Sequence, residues 1–211
     1  MSSSTAIATQ TFLDSLASIP HLPPNTYHWL ASVIFAAVQR PSEIPAVIDH
    51  AVKHQHRSRE ELLAEVREGL LKGAVITGFP AMINAILLLP KSTAPAMRKN
   101  VMAKHEEVYK RGHALWDAIY GDNAQNLKDT IRQAYADLYE VSIVEYGVVY
   151  AEDSVLGFRE SSMVQLVALT VGGEGTAPQR KGHRQGLVNQ GGTWEEVEAI
   201  EILGNKIIDA A

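Results

Sequence analysis

Thr26-Tyr27-His28-Trp29-Leu30-Ala31-Ser32-Val33-Ile34-Phe35-Ala36-Ala37-Val38-Gln39 is the stretch on which the fold class turns. Trp29, Leu30, Val33, Ile34, Ala37 and Val38 follow an i, i+3, i+4, i+7 stripe, the period of a helix and not the alternation of a strand. Pro23-Pro24-Asn25 ahead of it supplies a turn and a cap. The same period continues on the C-terminal side. Pro41-Ser42-Glu43 opens a second helix with Val47, Ile48, Ala51 and Val52 on one face. Ser58, with Glu61 three residues on, forms a capping box, and the helix it starts is predicted to reach Ile76 through Leu62, Leu63, Val66, Leu70 and Leu71. Gly78-Phe79-Pro80 then breaks the chain. The helix that follows, to Leu89, is apolar nearly all round and needs cover from the core or from another subunit.

Residues 90–97 read as a loop, and a polar helix follows with Val101, His105, Val108 and Tyr109 on one face. After a Gly/Asp/Asn turn at 121–126, a single long helix is predicted over 127–149, its apolar face made of Ile131, Tyr135, Leu138 and Val141 or Ser142. Val148-Val149-Tyr150 has strand character but is too short to support a sheet. Further helices are predicted over 161–171 and from Pro178, placed well for a first turn, to Gly191-Gly192. Thr193 and Glu196 form a second capping box and start the last helix. The expectation is one all-α domain over residues 1–211.

Ser58-Arg59-Glu60-Glu61-Leu62 and Thr193-Trp194-Glu195-Glu196-Val197 share the form cap-x-Glu-Glu-apolar at an offset of 135 residues. Each follows an apolar helix, a loop with proline and a shorter helix, so two copies of one three-helix unit are expected. At this offset His183 corresponds to Ile48. The chemistry, if one copy carries it, belongs to the second.

Composition narrows the function classes. The formal net charge is −5 with no Lys/Arg-rich stripe, which argues against nucleic acid or an anionic membrane as partner. Cysteine is absent, which excludes thiolate catalysis, disulfides, cysteine zinc sites and iron–sulfur clusters. The first 39 residues hold no Lys or Arg, so no basic leader is read. The longest apolar run, 81–89, is interrupted by Asn84 and too short to span a bilayer. Asp209-Ala210-Ala211 is not a Ser-Lys-Leu address, and the cytoplasm is the expected compartment.

Chemistry concentrates in residues 146–209. Arg159-Glu160 heads one helix, and the next contains Pro178-Gln179-Arg180-Lys181-Gly182-His183 with Gly186 three residues later. Glycine within a helix costs about 0.5–1 kcal/mol relative to alanine, so Gly182 and Gly186 mark a face closely approached by a neighbour or ligand. His183 can act as a general base near neutrality, Glu160 can fix its tautomer, and Arg159, Arg180 or Arg184 can hold a carboxylate in a bidentate fork. The competing reading is a packed histidine beside a solvated arginine face. Tyr146 and Tyr150, at i, i+4, either wall a pocket or fill the core. His50 and His54, also at i, i+4, could chelate a metal, but neither they nor His56 come with a third ligand at metal-site spacing, and no metal is expected.

Phe158-Arg159-Glu160, Leu166-Val167-Ala168-Leu169, Gln179-x-x-x-His183-x-x-Gly186 and Gly191-Gly192-Thr193-x-Glu195-Glu196-Val197 together resemble the carboxymuconolactone decarboxylase pattern. Upstream, Arg67-Glu68-x-Leu70-Leu71-Lys72 and Gly78-Phe79-Pro80-x-x-Ile83-Asn84-Ala85 resemble the matching stretch in fungal AhpD-like members. The likeness extends over about residues 26–209. It implies an AhpD-like helical fold, a trimer or hexamer, and His183 in the place of the family's motif histidine. The redox members' cysteines correspond to Thr176 and Gln179, so thiol peroxidase chemistry is excluded. Glu160 stands about four residues further from the motif than the family's glutamate. The function so implied is a non-redox, cofactor-free lyase or isomerase acting on a small organic acid, lactone or polyketide-like compound. In it His183 moves a proton, Glu160 orients it, and Gln179, Arg159, Arg180, Tyr146 and Tyr150 hold substrate. The alternative is a non-catalytic, oligomeric relative that binds a small molecule or a partner.

Overall fold

A computed structural model describes residues 6–90 and 103–211. Helices account for nearly all regular structure, and no strand occurs among the described residues. In chain order they are α1 (Gln10–Ala17), α2 (Tyr27–Ala37), α3 (Ile44–Gln55), α4 (Arg59–Thr77), α5 (Phe79–Leu88), α6 (His105–Tyr120), α7 (Ala124–Ala134), α8 (Ala136–Glu145), α9 (Phe158–Thr170), α10 (Ala177–Asn189) and α11 (Trp194–Ala210). A π-helical turn, Tyr146–Tyr150, continues directly from α8. Val148-Val149-Tyr150 is therefore helical in character, not extended.

The stripe that decided the fold class is α2, and it is more deeply placed than an amphipathic helix: every residue from Tyr27 to Ala36 is buried. Its counterpart α9 is buried continuously from Ser161 to Thr170. α2 packs against α9, and α4 and α11 each lie against both. The third helix of each three-helix unit thus touches its own first helix and that of the other unit, while α3 and α10 sit alongside their neighbours in the same relation. Both predicted capping boxes are present, Ser58 with Glu61 and Thr193 with Glu196, each hydroxyl accepting from the glutamate's backbone N–H. The 135-residue echo thus coincides with matched helix packing.

Residues 105–151 form a satellite with its own core of Leu115, Trp116, Ile119, Tyr139, Ile143, Tyr146 and Tyr150. Here the sequence reading needs correction. The long helix expected over 127–149 is broken at Tyr135, whose backbone is extended (φ −165°, ψ 109°), and α7 and α8 fold against each other. The buried face also differs: Tyr139, Ile143, Tyr146 and Tyr150 face inward, whereas Tyr135, Leu138 and Val141 are more than half exposed. Glycines explain the choice. A Cβ on Gly112 would strike the Ile143 carbonyl, and one on Gly147 would strike the Val108 carbonyl. α6 and the α8–π segment meet backbone to backbone, and only the Tyr139/Ile143/Tyr146 face carries the glycine that permits it.

The satellite is fastened to the main body by Lys72 of α4, which is fully buried. Its Nζ has three hydrogens to share among the carbonyls of Val149, Tyr150 and Glu152 at 3.2, 3.3 and 2.7 Å and Ser161 Oγ at 2.7 Å, and it lies 3.3 Å from Glu68 Oε1. One ammonium thereby ties together α4, the end of the π turn and the start of α9. In α5, Ala81, Met82 and Ala85 face inward, and Phe79, Ile83, Leu87 and Leu88 are at least half exposed. Residues 91–97 of the loop expected over 90–97, and Val101, lie outside the described residues.

Candidate active site

His183 lies midway along α10 on the face that carries Gly186. The expected close approach occurs at Gly186, where a Cβ would come within 2.6 Å of Ile119 Cγ2, but not at Gly182, where it would make only ordinary contact, 3.5 Å from Tyr120 Cε1. The neighbour is the C-terminal turn of α6. Asn189 at the end of α10 donates to the Ile119 carbonyl at 2.7 Å, satisfying a helix-end acceptor and fixing the two helices in register. The glycine face and this cap bring Tyr120 onto the imidazole.

The result is a row of polar groups inside an apolar wall. Tyr146 Oη is 2.9 Å from Tyr120 Oη, which is 3.2 Å from His183 Nε2. Tyr150 packs edge-on to Tyr146 at 5.2 Å between ring centres. The π turn places both tyrosines on this side, a local widening often found at functional sites. From α9, Gln165 comes near the hydroxyls of Tyr146 and Tyr150. Its amide acts on both phenols as a hydrogen-bonding neighbour, partly offsetting the rise that burial causes, while neither of its amide atoms, nor Tyr150 Oη, nor His183 Nδ1 has a protein partner at full hydrogen-bond geometry among the described residues. Leaving such a group unsatisfied costs about 1–3 kcal/mol, so these donors and acceptors call for a polar partner.

Burial governs the electrostatics. It pulls the His183 imidazole down to about 4, so the ring is neutral at physiological pH. It raises the phenols of Tyr120, Tyr146 and Tyr150, keeping them protonated. A neutral row of this kind has two polarities. With Tyr120 donating to Nε2, the ring hydrogen sits on Nδ1 and can be offered to a ligand oxygen. With Nε2–H donating to Tyr120, Nδ1 carries a lone pair and can accept a proton, and the tyrosine hydroxyls support the imidazolium so formed.

Of the residues proposed from sequence, His183, Tyr146 and Tyr150 come together. The others do not join them. No hydrogen bond or ion pair links Glu160 to His183 among the described residues, and the orienting contact on the imidazole comes from Tyr120 instead. Gln179 is exposed one turn before His183. Arg159 donates to both carboxylate oxygens of Glu196 at 2.6 Å. Arg180 and Arg184 lie 3.9 and 3.6 Å from Glu201. These arginines brace α11 and do not point a fork at the imidazole. Tyr120 and Gln165 were missed. Gln165 had a signal, a lone amide in the apolar run Met163-Val164-Gln165-Leu166-Val167. Tyr120 had none, because it comes from another element and closes on the site only in the fold. An apolar cleft of about 170 Å³, lined by Arg111, Ala114, Leu115, Ala118, Ala151 and Phe158, opens on the satellite.

The chain is similar to two yeast proteins. It is 26% identical over 190 residues to Peroxisomal protein 2 of Schizosaccharomyces pombe, covering 88% of this chain and 87% of that protein. It is 26% identical over 174 residues to Peroxisomal protein 2 of Saccharomyces cerevisiae, covering 69% of this chain and 61% of that one. No protein-family profile matches the chain, and no solved structure does. None of the described helices is long and apolar enough to cross a membrane.

Proposed function

We propose that this chain is a cofactor-independent lyase or isomerase of the carboxymuconolactone decarboxylase type, which moves a proton on a small organic acid, lactone or polyketide-like substrate at His183. The observation that carries this reading is the buried imidazole with Nδ1 unpartnered and Nε2 backed by Tyr120 and Tyr146. Most buried polar atoms have a partner, so a bare Nδ1 favours a group held ready for a ligand. Nδ1 takes a proton from a carbon adjacent to the substrate carbonyl and returns it to another atom, with the tyrosine row supporting the transient imidazolium. A pKa near 4 makes the free enzyme's imidazole a weak base, but an anionic substrate raises it by favouring the charged ring. Gln165 and Tyr150 supply hydrogen bonds to substrate oxygens.

The test is solvent deuterium exchange, followed by mass spectrometry, across a panel of oxo acids and unsaturated lactones. Wild-type protein is expected to label at least one of them, with the rate falling about 100-fold or more in His183→Gln, within the range general acid–base catalysis contributes. Labelling that survives in the variant would remove His183 from the chemistry.

Two further properties belong to the same reading. The exposed Phe79, Ile83, Leu87 and Leu88 of α5 favour a homo-oligomer of the trimeric or hexameric kind. Light scattering is expected to give a mass above the 23.1 kDa of one chain, and a monomer at micromolar concentration would reject it. The two relatives' names favour the peroxisome over the cytoplasm for this chain. A fluorescently tagged chain that stays diffuse beside a peroxisomal marker would overturn that placement.

A further inference from the structure

At the end of the molecule formed by α1 and α3, the fold supplies what the sequence lacked for the His50/His54 pair. Asp14 reaches across from α1, and its carboxylate and the two Nε2 atoms all lie within 4.8 Å of one another. His50 Nε2 is 2.9 Å from Asp14 Oδ1, and His54 Nε2 is 3.9 Å from the same oxygen. The two rings stack at 4.1 Å with 21° between planes, and both Nε2 atoms face Asp14 Oδ1. We infer that Asp14, His50 and His54 form a binding site for a borderline divalent transition cation such as Zn²⁺, held by two imidazoles and one carboxylate.

The chemistry of the donor set fits. Zn²⁺ takes histidine nitrogen and carboxylate oxygen at about 2.0–2.2 Å, so tetrahedral ligand atoms lie about 3.3 Å apart. The observed spacings bracket that value, and the side chains that would move, Asp14 and His54, are about half exposed. His50, by contrast, is buried and held from behind: its Nδ1 is 2.6 Å from the hydroxyl of buried Tyr27. A metal-bound histidine characteristically gives its second ring hydrogen to such a partner, which sets the tautomer that leaves Nε2 free for the metal. His54 Nε2 also faces the Gln10 amide nitrogen at 3.1 Å, so it already serves as an acceptor at the mouth of the site. Exposure of Asp14 and His54 leaves the remaining coordination positions open to water or a small ligand. His56, with a left-handed backbone (φ 52°) just past the end of α3, takes no part.

The site is independent of His183, and its test is separate. The full-length chain, stripped with a chelator and exchanged into chelator-free buffer, is titrated calorimetrically with ZnCl₂ and, in parallel, MgCl₂. One equivalent of Zn²⁺ is expected to bind with micromolar or tighter affinity, with no uptake of Mg²⁺, which prefers all-oxygen sites. His54→Ala and Asp14→Asn, at half-exposed positions, should keep the wild-type circular dichroism spectrum and lose about tenfold or more in affinity. Tyr27→Phe should lose about tenfold although it removes no ligand atom, while His183→Gln should bind as the wild type does. Absence of stoichiometric binding, or affinity unchanged in both His54→Ala and Asp14→Asn, overturns the assignment. An unchanged affinity in Tyr27→Phe alone would overturn the tyrosine's part in setting His50, with Asp14, His50 and His54 still the ligands.

Discussion

Replacing Lys72 by Met is expected to cost roughly 3–5 kcal/mol, enough to unfold much of the population at room temperature. Met fills nearly the same volume, so the loss is electrostatic. Three backbone carbonyls and the Ser161 hydroxyl lose the ammonium that serves them, and the Glu68 carboxylate loses its buried cation. Most of these groups are shut away from water and keep their desolvation cost without repayment, although the Tyr150 carbonyl retains the Ser161 hydroxyl at 3.0 Å. The damage should begin where the satellite meets the main body, because the carbonyls belong to residues 149–152. Urea unfolding monitored by tryptophan fluorescence provides the test. A midpoint shift worth less than about 1 kcal/mol, the scale of an exposed pair, would mean that Lys72 is not the fastening that its contacts indicate.

The second large effect is acid sensitivity. His183 titrates near 6.5 in the unfolded chain and at about 4 in the fold, because burial penalises the imidazolium. Above pH 6.5 both states hold the ring neutral and its contribution to stability is fully present. As the pH falls from 6.5 towards 4, the unfolded chain takes up a proton that the folded chain refuses, and stability drops. The gap corresponds to roughly 3 kcal/mol across that window. His28 and His113, also lowered chiefly by burial, add slope of the same sign. Glu145, raised by burial, opposes it. Subtracting the profile of His183→Gln isolates the share of His183. Urea melts at pH 7 and pH 4.5 should show a markedly smaller loss in the variant. Parallel profiles would mean that the ring is hydrated or paired in solution.

The fold class, the two capping boxes and the main-body helices α2 to α5 and α9 to α11 were readable because each rests on a local pattern that its own residues complete. α1 was not read. It is two turns long, and Thr9 caps it by accepting from the Phe12 backbone N–H. Its stability comes from laying Leu13 and Leu16 into the core. α8 was read with the wrong face inward because two apolar stripes, Tyr135/Leu138/Val141 and Tyr139/Ile143/Tyr146, both have helical spacing. Only the paired close approaches of Gly112 on α6 and Gly147 on the π turn decide between them. The candidate site divides in the same way. His183, Tyr146 and Tyr150 belong to the segment whose pattern could be followed along the chain. Tyr120 and Asp14 enter their sites across 63 and 36 residues respectively, and no spacing rule reaches that far. Glu160 and the arginines had the right chemistry in the sequence, but in the fold the arginines are drawn to Glu196 and Glu201.

The seam between α6 and the α8–π segment has one more property. Where Gly112 meets the Ile143 carbonyl and Gly147 meets the Val108 carbonyl, the nearest atom across the seam is backbone, which cannot change rotamer to make room. Tyr120 is carried by one of these rods and Tyr146 by the other. The span between their hydroxyls is therefore set as the gap in a pair of calipers is set by its frame. Any side chain on Gly112 or Gly147 would force the two backbones apart and widen that span with them.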